Sequence, residues 1–97
     1  MYDYFIVFQH IYDVHKEYDL KDKEIMFKVG KRIRFLREQR DLSLHQLAIE
    51  AEISKNQVCR IEQSQNNTSL VTLNRIAIAL KVDLKDLFFF ENDTLTS

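Results

Sequence analysis

The chain has no proline, no tryptophan, one glycine and one cysteine among 97 residues. So little glycine and proline argues against a fold of tight hairpins, whose turns need residues that readily take positive φ. A single cysteine permits no disulfide within the chain, and no Cys/His spacing resembles a zinc site, so a reducing, cytoplasmic setting is expected. Long apolar runs are also missing. The longest, Tyr4 to Phe8, falls far short of the roughly 20 residues a membrane-spanning helix requires, and the N-terminus lacks the basic-then-apolar pattern of a secretory signal. Nor is there an excess of either charge, the formal net value being −1.

What is present suits one helical domain. At 45% hydrophobic residues the chain can bury a single core, and its length matches one domain. Charge is unevenly spread. Residues 1–24 hold three lysines against six carboxylates, whereas residues 25–65 hold eight cations against five carboxylates, so the positive charge accompanies the central stretch, 43 to 63.

That stretch contains two helix starts written the same way. Ser43 stands three residues before Gln46, and Ser54 three before Gln57. Each serine can accept from the backbone N–H three residues on, while the glutamine reaches back to the serine's own N–H. Two short helices are predicted, roughly 44–51 and 55–63, joined by a turn at Glu52 and Ile53. Leu47, Ala48 and Ala51 share one face of the first; Val58 and Ile61, with the flank of Glu62, share one face of the second. Helices this short do not persist alone in water, so they must lean on each other and on flanking helices, as a helix-turn-helix does.

With Val58, Ile61 and Glu62 turned inward, the opposite side of the second helix presents Asn56, Arg60 and Gln63, with Lys55 at its N-terminus and Cys59 at its edge. Asn or Gln matches the donor and acceptor pair of adenine, Arg matches guanine, and Lys serves phosphate or guanine. Lys55, Asn56, Arg60 and Gln63 are therefore the candidate base readers. The alternative is an ordinary solvated helix face. Cys59 reads as a small residue beside this surface rather than a redox switch, and His45 as solvent-facing.

Residues 30–88 resemble the Cro and phage-repressor (XRE-like) helix-turn-helix family. The resemblance is carried by Gly30, Ile33, Leu36 and Arg37, by Leu42-Ser43, Leu47-Ala48 and Ser54, by Val58 and Arg60-Ile61-Glu62, and by Leu73, Ile76-Ala77 and Leu80. It implies an all-α, five-helix domain spanning about residues 25–90, whose third helix enters the major groove of double-stranded DNA, usually as a homodimer on a two-fold symmetric operator. It further implies backbone contacts from Ser43, Ser54, Gln57, Gln65 and Asn66, and a partly buried structural ion pair between Arg37 and Glu62. Gln57 has a competing role in its cap.

The chain departs from the family pattern in several places. Leu44 replaces a glutamine that helps anchor the motif on a phosphate. Positions commonly glycine hold Glu52, Ser64 and Lys81, which predicts strained or altered turns, and a common proline before the fourth helix is Thr68.

Residues 1–24 lie outside the core of the resemblance as an aromatic N-terminal extension. Val7, Ile11, Val14 and Tyr18 recur at helical spacing, although Tyr-Phe-Ile-Val-Phe alone would fit a strand equally; a helix is the favoured reading. Its apolar residues are expected to pack on Phe27 and Phe35, in the same chain or a partner's. His10 and His15 fall on different sides of such a helix and read as surface residues.

A fourth helix is expected over about 69–80, capped by Thr68 or Ser69 and burying Leu70, Leu73, Ile76, Ala77 and Leu80. Asp83 would cap a fifth. There Leu84, Leu87 and Phe88 can close the core, which leaves Phe89 and Phe90 as surplus aromatics. The segment Phe88 to Phe90 is a candidate dimer contact or a helix end folded onto its own domain. Residues 91–97 read as a frayed tail.

A sequence-specific DNA-binding regulator is the expected function, without enzyme activity, metal, cofactor or small-molecule effector, and without a membrane. The competing function is a protein-interaction module on a helix-turn-helix scaffold, with the aromatic N-terminus recruiting a partner.

Overall fold

Local capping does divide the middle of the chain where the serines stand. The structure, a computed structural model, describes the backbone of residues 4–90 and the side chains of residues 13 and 15–90. Within them lie α1 (Tyr4–Gln39), α2 (Leu44–Ala51), α3 (Lys55–Glu62), α4 (Leu70–Ala79) and a short 3₁₀ turn (Leu84–Phe88). The tail 91–97, and the side chains of Tyr4, Val7, Phe8, His10, Ile11 and Val14, lie outside the described residues.

α1 is longer than the helix expected to begin the domain, running through 36 residues from the extension into the motif. No proline interrupts it. Pairs one turn apart, Glu17–Lys21 at 3.1 Å and Asp19–Lys23 at 3.4 Å on exposed side chains and Glu24–Lys28 at 3.2 Å with Lys28 half-buried, line it with the acid on the N-terminal side. Each contributes a few tenths of a kcal/mol. Because the helix is continuous it cannot fold back on itself. Residues 13 and 15–25 are exposed, and Phe27 and Phe35 are not covered by the described part of the same chain.

Four helix ends share one device. Asp41, Glu52, Ser64 and Lys81 all take positive φ, between 56° and 62°. After each, the next N–H returns to a carbonyl five residues back: Leu42 to Arg37 at 3.1 Å, Ile53 to Ala48 at 3.1 Å, Gln65 to Arg60 at 2.8 Å and Val82 to Ala77 at 3.0 Å. This is the left-handed C-terminal turn in which glycine is normally preferred. Here none is glycine, at a cost of about 1 kcal/mol each.

The one glycine is used elsewhere, against neighbouring backbone. A Cβ at Gly30 would lie 2.5 Å from Ile61 O and 3.0 Å from Glu62 O, where α1 crosses α3. Gly30→Ala should therefore destabilise the fold despite alanine's better helix propensity. The expected loss is about 1–3 kcal/mol from overpacking, read as a lower midpoint in urea; an unchanged or higher midpoint would show that the crossing is loose.

The core sits where α1, α2, α3, α4 and the turn converge, with Ile33, Leu47, Val58, Ile76, Leu80 and Leu87 fully buried. Several expected positions differ. Leu70 is exposed and Ala79 is buried in its place, because α4 starts at Leu70, with Ser69 rather than Thr68 as its N-cap. Thr72 N–H donates to Ser69 Oγ at 3.1 Å. The fifth helix is a five-residue 3₁₀ turn rather than an α-helix: Asp86 N–H bonds Asp83 O at 2.9 Å, and Arg32 Nε reaches across from α1 to Asp86 O at 2.8 Å. That turn leaves Phe88 and Phe89 exposed and packs Phe90 against the core, so Phe90 rather than Phe88 helps Leu87 to close it.

Candidate nucleic-acid interface

Both capping boxes form. Gln46 N–H donates to Ser43 Oγ at 3.0 Å and Ser43 N–H to Gln46 Oε1 at 2.8 Å. Gln57 N–H donates to Ser54 Oγ at 3.1 Å and Ser54 N–H to Gln57 Oε1 at 3.2 Å. These bonds hold α2 and α3 at fixed starts. They use the oxygen of each glutamine amide, so the NH₂ of Gln57 keeps its capacity to donate.

α3 then divides by exposure as its periodicity predicts. Val58 and Ile61 are buried and the Glu62 side chain is turned inward, while Lys55, Asn56, Arg60 and Gln63 are exposed. Gln63 is the C-cap residue rather than the last helical one. Asn56, Arg60 and Gln63 thus share an edge of a helix whose other side is anchored, with Lys55 exposed at its N-terminus. Cys59 is half-buried beside them.

The anchor beneath that edge is the Arg37–Glu62 pair. Arg37 Nε lies 2.7 Å from Glu62 Oε2 and Arg37 Nη2 3.0 Å from Glu62 Oε1, a bidentate contact, while Arg37 Nη1 donates to Leu42 O at 2.8 Å. The two side chains retain 12% and 6% of their exposure. The hydrogen bonds to Glu62 hold the Arg37 guanidinium above its ordinary value, against the opposing effect of burial. One ion pair thereby ties α1 to α3 and to the turn before α2.

Around α3 the other candidates separate. Ser43, Ser54 and Gln65 are exposed, whereas Asn66 is half-buried and lines a cleft of about 170 Å³ with Ile25, Val29, Leu73 and Phe88. None of the four exposed α3 residues lines it. A second cleft of about 250 Å³ brings Arg34, Leu44, Cys59 and Gln63 together with the ion pair. Leu44 packs against the core, which supplies an apolar role for the residue standing where relatives place a polar one. Arg34, absent from the sequence-derived set, is an exposed cation beside Gln63, bonded to Glu38 at 2.9 Å. Its position one helical turn before Arg37 was a signal for it.

Residues 32–93 match the model of the Cro/C1-type HTH DNA-binding domain. Among proteins of known role, the chain is 34% identical over 61 residues to the HTH-type transcriptional regulator SlrR of Bacillus subtilis (strain 168), covering 62% of this chain and 40% of that protein. It is 39% identical over 56 residues to the immunity repressor protein of Bacillus phage phi105, covering 58% of this chain and 39% of the repressor. The chain thus spans about two fifths of the length of either relative. Among solved structures it is similar to the restriction-modification controller protein C.AhdI from Aeromonas hydrophila, with a TM-score of 0.64 and 35% identity over 65% of this chain and 96% of that one. The chain belongs to the family of Cro/C1-type helix-turn-helix DNA-binding domains.

Proposed function

We propose that this chain is a sequence-specific DNA-binding regulator of transcription, acting as a homodimer with α3 in the major groove of a two-fold symmetric operator. The observation that carries the reading is the sorting of α3 into a buried edge, Val58 and Ile61, and an exposed edge, Asn56, Arg60 and Gln63, with Lys55 exposed at the N-terminus. Those side chains can pair with base edges, while Ser43, Ser54, Gln57, Gln65 and Asn66 contribute phosphate contacts from the flanking caps and loop. Phe88 and Phe89 offer exposed aromatic surface for a second copy, while Phe90 packs against the core. The modest positive charge of the central stretch implies a shallow salt dependence.

Selection of binding sites from random duplex DNA tests the reading. The expected result is one enriched, two-fold symmetric sequence whose retention weakens with salt. No enrichment, together with co-purification of another protein, would favour the alternative of an interaction module, for which the exposed Tyr18, Leu20, Phe27 and Phe35 of α1 are the supporting observation.

A further inference from the structure

Two guanidinium groups line the cleft of about 250 Å³ at the C-terminal end of α3, and they are held very differently. Arg37 is occupied: its side chain is 12% exposed, and Glu62 accepts from two of its nitrogens. Arg34 is not. Its side chain keeps 65% of its exposure, and its partner is Glu38, one helical turn further along α1, with Nε donating to Oε1 at 2.9 Å. Glu38 is itself 56% exposed. Water therefore reaches both sides of the contact, and an exposed pair of this kind holds only weakly against a competing anion.

The rest of the cleft decides which anion fits. Half-buried Leu44 and Cys59 give it an apolar wall, the Gln63 amide supplies a neutral donor, and the Arg37–Glu62 pair beside them carries charges that cancel. A base edge asks for several directed donors and acceptors. A sugar and its phosphate ask instead for an apolar contact and a cation, and a guanidinium fork meets two phosphate oxygens as readily as a carboxylate. We propose that a phosphodiester group of bound duplex DNA takes the place of the Glu38 carboxylate on Arg34, with the adjoining sugar against Leu44 and Cys59. Glu38 is thus the chain's own stand-in for phosphate, exchanged as DNA docks.

The exchange strands no charge. The released Glu38 carboxylate stays in water, 4.0 Å from Arg37 Nη2, while Arg37 keeps both of its bonds to Glu62. Arg34 also extends the run of exposed cations on this face: Lys55 stands at the N-terminus of α3, Arg60 in its last turn, and Arg34 beside Gln63 just past its end. This exchange rests on the DNA-binding reading, to which it adds a backbone contact from α1 and a competitor for that contact.

Titration of the full chain against the selected operator and against random duplex DNA, over a range of salt, tests it. Arg34→Ala should weaken binding to both by a similar factor, about tenfold, and reduce the salt slope by about one; Arg34→Lys should keep most of that slope. Glu38→Gln should do the reverse, tightening both complexes by about two- to fivefold. In the Arg34→Ala background the Glu38 substitution should lose most of its gain, which separates an effect through Arg34 from the mere removal of a negative charge. Melting points should stay near that of the wild type, because both side chains are exposed. Unchanged affinity and slope for Arg34→Ala would overturn the proposal, as would a Glu38→Gln gain equally large without Arg34. A wild type that retains no duplex removes the DNA-binding reading and this exchange together, whereas a wild type matched by Arg34→Ala removes the exchange alone.

Discussion

Glu62→Ala should lower the stability of the domain by about 3–5 kcal/mol, the loss expected when one partner of a buried ion pair is removed and the other is stranded. The cost resides in Arg37. Its side chain is 12% exposed, and with Glu62 gone its bidentate contact disappears, leaving the bond from Nη1 to Leu42 O and a long contact, 4.0 Å, from Nη2 to the exposed Glu38 carboxylate. A guanidinium cannot escape by losing its proton. Small domains have only about 5–15 kcal/mol in hand, so the melting temperature should fall by more than about 12 °C. Glu62→Gln, which keeps the shape and two polar atoms, should lose less. The double variant Arg37→Ala, Glu62→Ala should lose less than the sum of the single ones, since it leaves no unpaired charge behind whereas each single one does. A loss below about 1 kcal/mol for Glu62→Ala would place the pair among ordinary surface contacts. The alkaline behaviour follows from the raised Arg37 value. A group raised on folding contributes fully below its unfolded value and fades only as pH rises through the folded one. For an arginine that window lies beyond the range in which the fold persists, so this pair should cause no loss of stability on the alkaline side.

The second large effect is expected on binding rather than on folding. Asn56→Ala and Arg60→Ala remove exposed side chains from α3, and each should cost about 1–3 kcal/mol of discrimination at the base pair it reads. Together they should weaken binding to the selected operator by about 2–6 kcal/mol, while retention on unrelated duplex DNA changes little. The melting point should hold, because Val58 and Ile61 beneath are untouched. Lys55→Ala should act differently, weakening binding to all sequences and reducing the salt slope by about one. Titration of each variant against operator and random duplex distinguishes these outcomes. Equal operator affinity for wild type and the Asn56, Arg60 double variant would refute the assignment of base readers. Arg37 and Glu62 variants should also lose DNA binding, but only as the domain unfolds, so a melting curve beside each titration separates the two causes.

Much of the fold was legible from single-turn chemistry. The starts of α2 and α3 follow from Ser43 with Gln46 and Ser54 with Gln57, because a capping box closes within three residues and needs nothing from the rest of the chain. The inward edge of α3 follows from the spacing of Val58 and Ile61. The special turns at Glu52, Ser64 and Lys81, and the pairing of Arg37 with Glu62, came instead from the family resemblance, since residues 25 apart announce no contact by spacing.

What remained depended on what lies opposite. The exposure of Leu70 and burial of Ala79, and the exchange of Phe88 for Phe90 against the core, were decided by which neighbouring element reaches each position. The 3₁₀ turn owes its form in part to Arg32, which bonds Asp86 O from a distant helix. Gly30 is required because α3 backbone passes within reach of where its Cβ would stand. Local hydrogen bonding and hydrophobic period, both complete within a few residues, let the sequence determine the helices of the motif and their inward faces. Only the tertiary structure decided how the ends pack and which side of α1 the domain covers, because burial is a property of two surfaces and the sequence describes one at a time.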